Sequence, residues 1–442
     1  MRKFTILIII FVILTAISMI AFAACGDDGD DRTEKAEFDY IEVSSAEELK
    51  EMKDTEAYRL TTDIDLGGAY WTPMRVSGFD GNGHTIKNFT ISTTYSPAAF
   101  FYQIAWLENV TFENAEIYAV DTSYAAVAAA NAFSMENAYR QDPLVSNVTV
   151  KNSSIQVMNI RYMAYVGSIS SRVALENCTA TNCSIEILTN GSTVYVGGAV
   201  GYASANDTYV ENVNIETDTY GDIYAGGVSG FSGDIVGCRA DLIDINIKSA
   251  TEIACGGLAG QAATAENCEV NNATINAQTY AHEYDAQDCY VGGLIGNKSG
   301  ASSTDKVKNS VVNDISITVT NKKGKMKVGG FAGYAAYTFT SCLAHNVEII
   351  CDGAQDVGGF VGEMRVGMTY CASNNVNMMN GEDIFGAKSN SNINCYASGN
   401  GKNSNDLPEI TSTQWESLPD ILNADSDSWH YGSDGRWHVV EK

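Results

Sequence analysis

Along most of this chain apolar and polar positions alternate in short runs, and each run leads into a cluster of glycines. ENCTATNCSIEI from Glu176, ENCEVNNATINA from Glu266, KNSVVNDISITV from Lys308 and TSCLAHNVEII from Thr340 alternate small or apolar residues with polar ones, as strands with one buried face do. Between these runs the phrase YVGGAVGYA (Tyr195–Ala203) returns as YAGGVSGF from Tyr224, CGGLAG from Cys255, VGGLIG from Val291, VGGFAG from Val328 and VGGFVG from Val357, with a degenerate YVGSIS from Tyr165. Glycine admits backbone angles closed to other residues and removes the side chain where two backbone layers meet. One unit therefore reads as strand, turn, strand and glycine corner.

The first glycines of the copies, Gly167, Gly197, Gly226, Gly256, Gly292, Gly329 and Gly358, are separated by 29 to 37 residues, a period that marks stacked units. The expected fold is all-β, a β-solenoid in the form of a right-handed parallel β-helix. Coils would rise by about 4.8 Å each, so roughly ten would make a rod on the order of 50 Å long. A propeller prefers longer units with four strands each, and a glycine-rich sandwich would not keep a steady phrase.

These glycine copies resemble the GLUG motif of bacterial surface proteins, which include adhesin-like proteins and the region preceding the catalytic domain of zinc peptidases that cleave immunoglobulin A. DIDLGGAYWTPM (Asp63–Met74) and FDGNGHTIKNFTI (Phe79–Ile91) are similar to the opening coil of such β-helices. The resemblance spans roughly residues 40–400 and implies a surface protein. On it the chain divides into a leader at 1–24, a tether at 25–38, an N-terminal cap at 39–78, the repeats at 79–399, and a linker with a C-terminal capping segment at 400–442. The cap would hold a short helix, with Ser45 and Glu48 as its capping box. The tryptophan-bearing end, Trp415 to Lys442, would supply a last strand. SYAAVAAANAFS (Ser123–Ser134) replaces the glycine phrase with alanines, a composition compatible with a helix.

Arg2 and Lys3 precede an apolar run from Phe4 to about Ile20, then Phe22-Ala23-Ala24-Cys25, the parts of a secretory signal. An uncleaved membrane anchor is the alternative, because the run is long enough to span. The terminal cysteine is similar to a bacterial lipobox. That resemblance implies diacylation of Cys25, a lipid bilayer as partner, and a lipid-anchored protein outside the cytoplasm or at the cell surface. The acidic GDDGDDRTEKAEFD that follows reads as a solvated tether.

Three residue types recur in columns. Cys178, Cys238, Cys268, Cys342, Cys371 and Cys395 share one place in successive units, with Val110, Val148, Val213 and Ser310 in equivalent places. Exchange with valine and serine implies inward-facing thiols, and a strand spacing of about 4.8 Å exceeds the β-carbon separation a disulfide prefers. Asparagines precede that place at Asn109, Asn147, Asn177, Asn212, Asn267 and Asn394, and follow it at Asn114, Asn152, Asn182, Asn272 and Asn346, where stacked amides can bond from coil to coil and tolerate left-handed turns. Tyr165, Tyr195, Tyr224 and Tyr290 lie two before a repeat glycine. If the neighbouring valines point inward, these tyrosines face solvent in a column, where they either stabilise the sheet as cross-strand aromatics, the reading favoured, or form a candidate surface for sugars or partner proteins. The column is broken by Ala254, Lys327 and Asp356.

Against 27 basic residues stand 54 acidic ones, a net charge of −27, so nucleic acid and anionic surfaces are repelled. No cofactor or metal is expected. A zinc peptidase needs HExxH, and the HE pair at His282-Glu283 continues Tyr284-Asp285-Ala286 instead. No CxxC pair suggests zinc. His84 lacks a nearby second ligand, and Asp425 and Asp427 lack the rest of a calcium loop. Asp241, Asp244 and Asp285 are scattered, although Arg239 adjoins Asp241. Carboxylates could still meet across coils at a glycosidase distance. The expected function is non-catalytic binding or adhesion by a monomeric rod to a glycan or protein. A carbohydrate-active β-helix enzyme and an envelope spacer without a ligand are the alternatives.

Overall fold

The computed structural model describes residues 39–132 and 144–439 apart from 192, 281–287, 299–305, 322–323, 337, 354–355, 366, 380–382, 387–391, 401, 404–405 and 425–428. Cys25, the leader, the tether, His282-Glu283, Asp285, Asp425 and Asp427 lie outside the described residues. Everything below concerns the unit Tyr40–Lys442.

One strand type carries the ladder. Thr179–Thr189 pairs in parallel with Tyr209–Thr219, that with Arg239–Ser249, then Glu269–Thr279, Val307–Thr320, Phe339–Asp352 and Met368–Met378. Alternation puts every second side chain inward. The same inward place is isoleucine at 91, 117, 155, 185, 215, 245, 275, 317 and 349 in unbroken register, ending on Met378. All are buried. A β-branched residue fits this pleated, enclosed position, and burying one such side chain is worth about 1.5–3 kcal/mol.

A second parallel sheet runs through Tyr124–Ala126, Met163–Gly167, Thr193–Gly197, Ile223–Gly226, Ile253–Gly256, Cys289–Gly292, Met326–Gly329 and Asp356–Gly358. Here the seven repeat glycines sit directly above one another, Gly167 on Gly197 and so on to Gly358. The chain is thus an all-β parallel solenoid. Ala126 precedes Gly167 in this column, so the alanine-rich Ser123–Ser134 phrase contributes the strands Tyr124–Ala126 and Ala129–Ala132.

The ladder starts earlier than the expected boundary at Phe79. Ile41–Val43 already pairs in parallel with Ala57–Leu60, which pairs with Met74–Asp80, while Ile64–Tyr70 pairs with Thr85–Thr94. The helix Ala46–Lys50 lies between the first two of these strands and buries Leu49. Ser45 Oγ accepts from Glu48 N, but the Glu48 carboxylate takes its hydrogen bonds from Ser44 N and Oγ. The box is therefore shifted by one residue.

Two corners of each coil require a left-handed residue. Asn109, Asn147, Asn177, Asp207, Asn267 and Asn309 hold φ between +45° and +55° at one; Asn114, Asn152, Asn182, Asn212, Asn272 and Asn346 hold +52° to +55° at the other. Their amides donate up the stack, Asn177 to Asn147, and Asn212 to Asn182. Asn212 therefore belongs to the second corner, and Val213 pairs with Cys183; Asp207 and Thr208 take the places at the first that the sequence pattern gave to Asn212 and Val213. Tyrosine 209 follows them, paired with Thr179. Leu242 occupies the second corner at φ +55° with half its surface exposed. Leucine gains nothing from exposure there and is costly in this conformation. Leu242→Asn is expected to stabilise the protein by about 1 kcal/mol, read as a higher melting temperature.

The ten cysteines among the described residues are buried thiols outside any disulfide. Cys178, Cys238 and Cys268 each donate to a carbonyl two residues back, and Cys342 pairs with Cys371 in the ladder. Burial pushes the Cys178, Cys268 and Cys395 thiols up to about 12. A colourimetric thiol reagent is expected to find these ten cysteines unreactive in the native protein and all ten reactive in denaturant.

Among the described residues the end of the chain does not extend the ladder by a last strand. The helices Ser412–Trp415 and Leu418–Ile421 and the antiparallel pair His430–Tyr431 with Trp437–His438 lie against the side of the stack. Leu418, Leu422, Trp429, Trp437 and Val439 bury themselves on Val311, Leu343 and Ala372.

Candidate functional site

The tyrosine column exists in the expected register, but not as a solvent face. Tyr165 pairs with Tyr195, Tyr195 with Tyr224, Tyr224 with Ala254, Ala254 with Tyr290, and Tyr290 with Lys327. Ring centroids from Tyr124 through Tyr165 and Tyr195 to Tyr224 are 5.6, 5.2 and 5.0 Å apart and the rings nearly parallel. A second aromatic pair, Tyr202 on Phe231 at 4.7 Å, meets this column edge-on. Tyr165 keeps only 9% exposure, and the Arg172 guanidinium lies over Tyr165 and Tyr202. Further along, Lys327 sits over Tyr290 and Tyr334 and pairs with Glu363 at 2.9 Å. The rings spend their faces on one another because the glycine corner turns the following strand back beside them. The column is a half-buried wall with exposed edges.

A different side of the stack gathers most of the chemistry. Three residues beyond the thiol place, Asp241, Asn271, Asn313, His345 and Asn374 form one outward column in direct register. Beside it run Tyr209, Arg239, Glu269, Val311, Leu343 and Ala372. The amides are chained: Asn313 Nδ2 donates to Asn271 Oδ1 at 2.9 Å, Asn271 Nδ2 to Glu269 at 2.5 Å, and Ser398 Oγ to Asn374 Oδ1 at 2.7 Å.

The C-terminal segment covers the first part of this face through charge. Glu269, with no exposed surface, accepts from Val439 N at 3.0 Å and faces His438 Nδ1 at 2.6 Å and Arg239 at 3.4 Å. Arg239 also holds Asp241 at 3.0 Å, and His438 Nε2 reaches Asp434 at 3.1 Å. Arg436 pairs with Asp314 and donates to Asn272 at 3.0 Å. Burial pushes the Glu269 carboxyl up, but His438, Arg239 and Asn271 outweigh it and hold it below its ordinary value. The hydrogen bond to Glu269 raises His438. Carboxylates do meet across coils here, as Asp241 and Glu269 joined by Arg239, yet they lie under protein. Asp244 is exposed and accepts from Asn246. His84 contacts Asp63 at 3.2 Å. Among the described residues no group of three or more His, Cys, Asp or Glu could hold a metal ion.

The column emerges at His345 and Asn374. There a cleft of about 590 Å³ is lined by these two residues with Ile410, Thr411, Trp415 and Tyr431. His345 and Asn374 bond at 3.1 Å, and the His345 and Trp415 rings lie 4.6 Å apart. Burial lowers the His345 imidazole to about 4, so it is neutral near pH 7. Next to it a groove of about 820 Å³ runs past Asn346, Asn375, Asn377, Ser398, Asn400 and Glu409. Sequence reasoning passed over both. The available signal was a polar residue recurring three after each thiol position, which one-dimensional alternation reads only as outward.

No protein-family profile and no curated protein matches this chain. Among solved structures, a chain from Bacteroides ovatus described as a candidate immunoglobulin A1 protease aligns with 90% of this chain and 92% of its own length, at 14% identity and a TM-score of 0.30. A likeness this loose carries no argument about activity.

Proposed function

We propose that this protein is a lipid-anchored bacterial surface rod of the GLUG type that acts by holding a glycan or protein ligand along its side, without catalysis. The observation that carries this reading is the unbroken register of outward side chains over successive coils. Polar side chains, mostly amides, repeated at about 4.8 Å make an extended recognition surface, whereas the carboxylates that come together, Asp241 and Glu269, are buried with Arg239 and His438. The apolar leader ending in Cys25 and the acidic stretch after it support anchoring through an acylated cysteine, with the ladder held off the bilayer by a solvated tether.

Cell fractionation tests the anchor. Wild-type protein is expected in the membrane fraction and labelled by a fatty-acid probe, and Cys25→Ala is expected to lose the label and either leave the membrane or remain unprocessed. Unchanged membrane retention with no acyl label in the wild type would favour an uncleaved apolar anchor. A combined glycan and protein array tests ligand binding: unaltered captured ligand supports the reading, release of new sugar ends overturns it, and silence favours a spacer.

A further inference from the structure

We propose that the cleft at His345, Asn374, Trp415 and Tyr431, together with the asparagine groove beside it, binds a linear neutral oligosaccharide laid along the stack. This inference rests on the surface-binding reading above and names its site and ligand class. Three observations favour that class. First, the lining pairs aromatic rings, Trp415 and the half-exposed Tyr431, with amides at Asn346, Asn374, Asn375, Asn377 and Asn400. Rings offer apolar faces to the C–H side of a pyranose, and amides offer a donor and an acceptor to its hydroxyls.

Second, the charge excludes anionic ligands. Glu348, Glu409 and Glu416 line the two cavities, and among the described residues no lysine or arginine does. An anionic sugar would meet like charge in the lining, and the cation near His345, Arg436, is already paired with Asp314. His345 is held neutral by burial, so it offers an imidazole and not a cation.

Third, the amide rows have a fixed step. Asn375 donates to Asn346 at 2.6 Å and Asn346 to Asp314 at 2.8 Å, one coil per bond. That step is the strand spacing, about 4.8 Å, whereas an extended peptide repeats every 3.3–3.4 Å. A pyranose unit in an extended chain is close to the first length, so successive sugars can meet equivalent amides and successive peptide residues cannot.

Calorimetric titration of the full chain in detergent with cellohexaose, mannohexaose, xylohexaose and a polygalacturonate hexamer provides the test. At least one neutral hexaose is expected to bind, more tightly than its disaccharide, and the polygalacturonate is not. Tyr431→Ala, at an exposed position, and Trp415→Phe, which preserves the backbone carbonyl that accepts from Trp437, should keep the melting temperature. Tyr431→Ala should weaken binding about tenfold. Asn375→Asp, which keeps the left-handed corner available, should weaken it too. Hexaose binding unchanged in all variants would overturn the site and leave the surface-binding reading standing. Capture of a peptide competed by none of the sugars would overturn the ligand class, and tightest binding of the polygalacturonate would overturn the charge argument. Absence of any ligand on both titration and array would overturn the inference and the reading together.

Discussion

Gly230→Val is expected to abolish cooperative folding of the coils around it, with a loss above about 4 kcal/mol, while Gly233→Ala three residues on leaves the unfolding midpoint unchanged. A β-carbon at Gly230 would lie 2.5 Å from Val196 N, 2.7 Å from Gly201 O and 2.8 Å from Tyr224 O. All three are backbone atoms of strands fixed in the ladder, so no rotamer change relieves the clash. The third glycine of each copy is in the same position: Gly201 faces Val166 N, Gly260 Ala225 N, Gly333 Val291 N and Gly362 Val328 N, each at 2.5 Å. At Gly233 the nearest neighbour of such a carbon is Ser204 Oγ at 3.6 Å, an ordinary contact. Denaturant unfolding followed by circular dichroism separates the two variants. Equal stability of Gly230→Val and wild type would show that the two sheets do not close on one another there.

Glu269→Ala is expected to release the C-terminal segment at a cost of about 3–5 kcal/mol, the range for removing one partner of a buried ion pair. Arg239 and His438 would lose their shared buried carboxylate while keeping Asp241 and Asp434, and Val439 N would lose its acceptor. Hydrogen exchange in residues 410–439 is the measurement, because the coils beneath keep their isoleucine core. Protection unchanged in that segment would mean that the apolar contact of Leu418, Leu422 and Trp437 with Val311 and Leu343 suffices without the charges.

The same contact carries a pH dependence. His438 is raised above its ordinary 6.5, so its contribution is complete below that value and is lost as pH rises through the folded value. Glu269 is lowered from 4.5, so its contribution is complete above that value and is lost as pH falls through the folded value. Attachment is expected to be firmest between about pH 4.5 and 6.5, to loosen in mild alkali through His438, and to fail in strong acid through Glu269.

The repeat itself was legible because glycine, asparagine and thiol each answer a local demand that recurs once per coil. Gly197 and its counterparts need room, Asn177 and Asn182 need a left-handed angle, and Cys178 fills a small inward space. The isoleucine column was readable on the same ground, as the residue three beyond each second-corner asparagine from Asn152 to Asn346, but it drew no notice among many apolar residues. Alignment of single residues failed at Val213, because Asp207 holds the first corner of that coil and the asparagine before Val213 stacks on Asn182 at the second, so the same Asn-Val phrase fits either corner. The aromatic wall was half legible. Register put Tyr165, Tyr195 and Tyr224 in a column, but only the fold shows that Tyr202 and Phe231 close against them. The face under the C-terminal segment was not legible at all, since Glu269 and His438 are 169 residues apart and nothing local in either stretch names the other.

That long-range attachment sets where the protein can change length. A whole coil added before Tyr209 would shift everything after it by one step and leave His438, Arg436 and Trp437 over the same partners. A coil added between Arg239 and Tyr396 would draw those partners apart beneath a segment of fixed reach. Natural variation in coil number is therefore expected to fall in the early part of the stack, with the later coils held to a constant count by the strap laid across them.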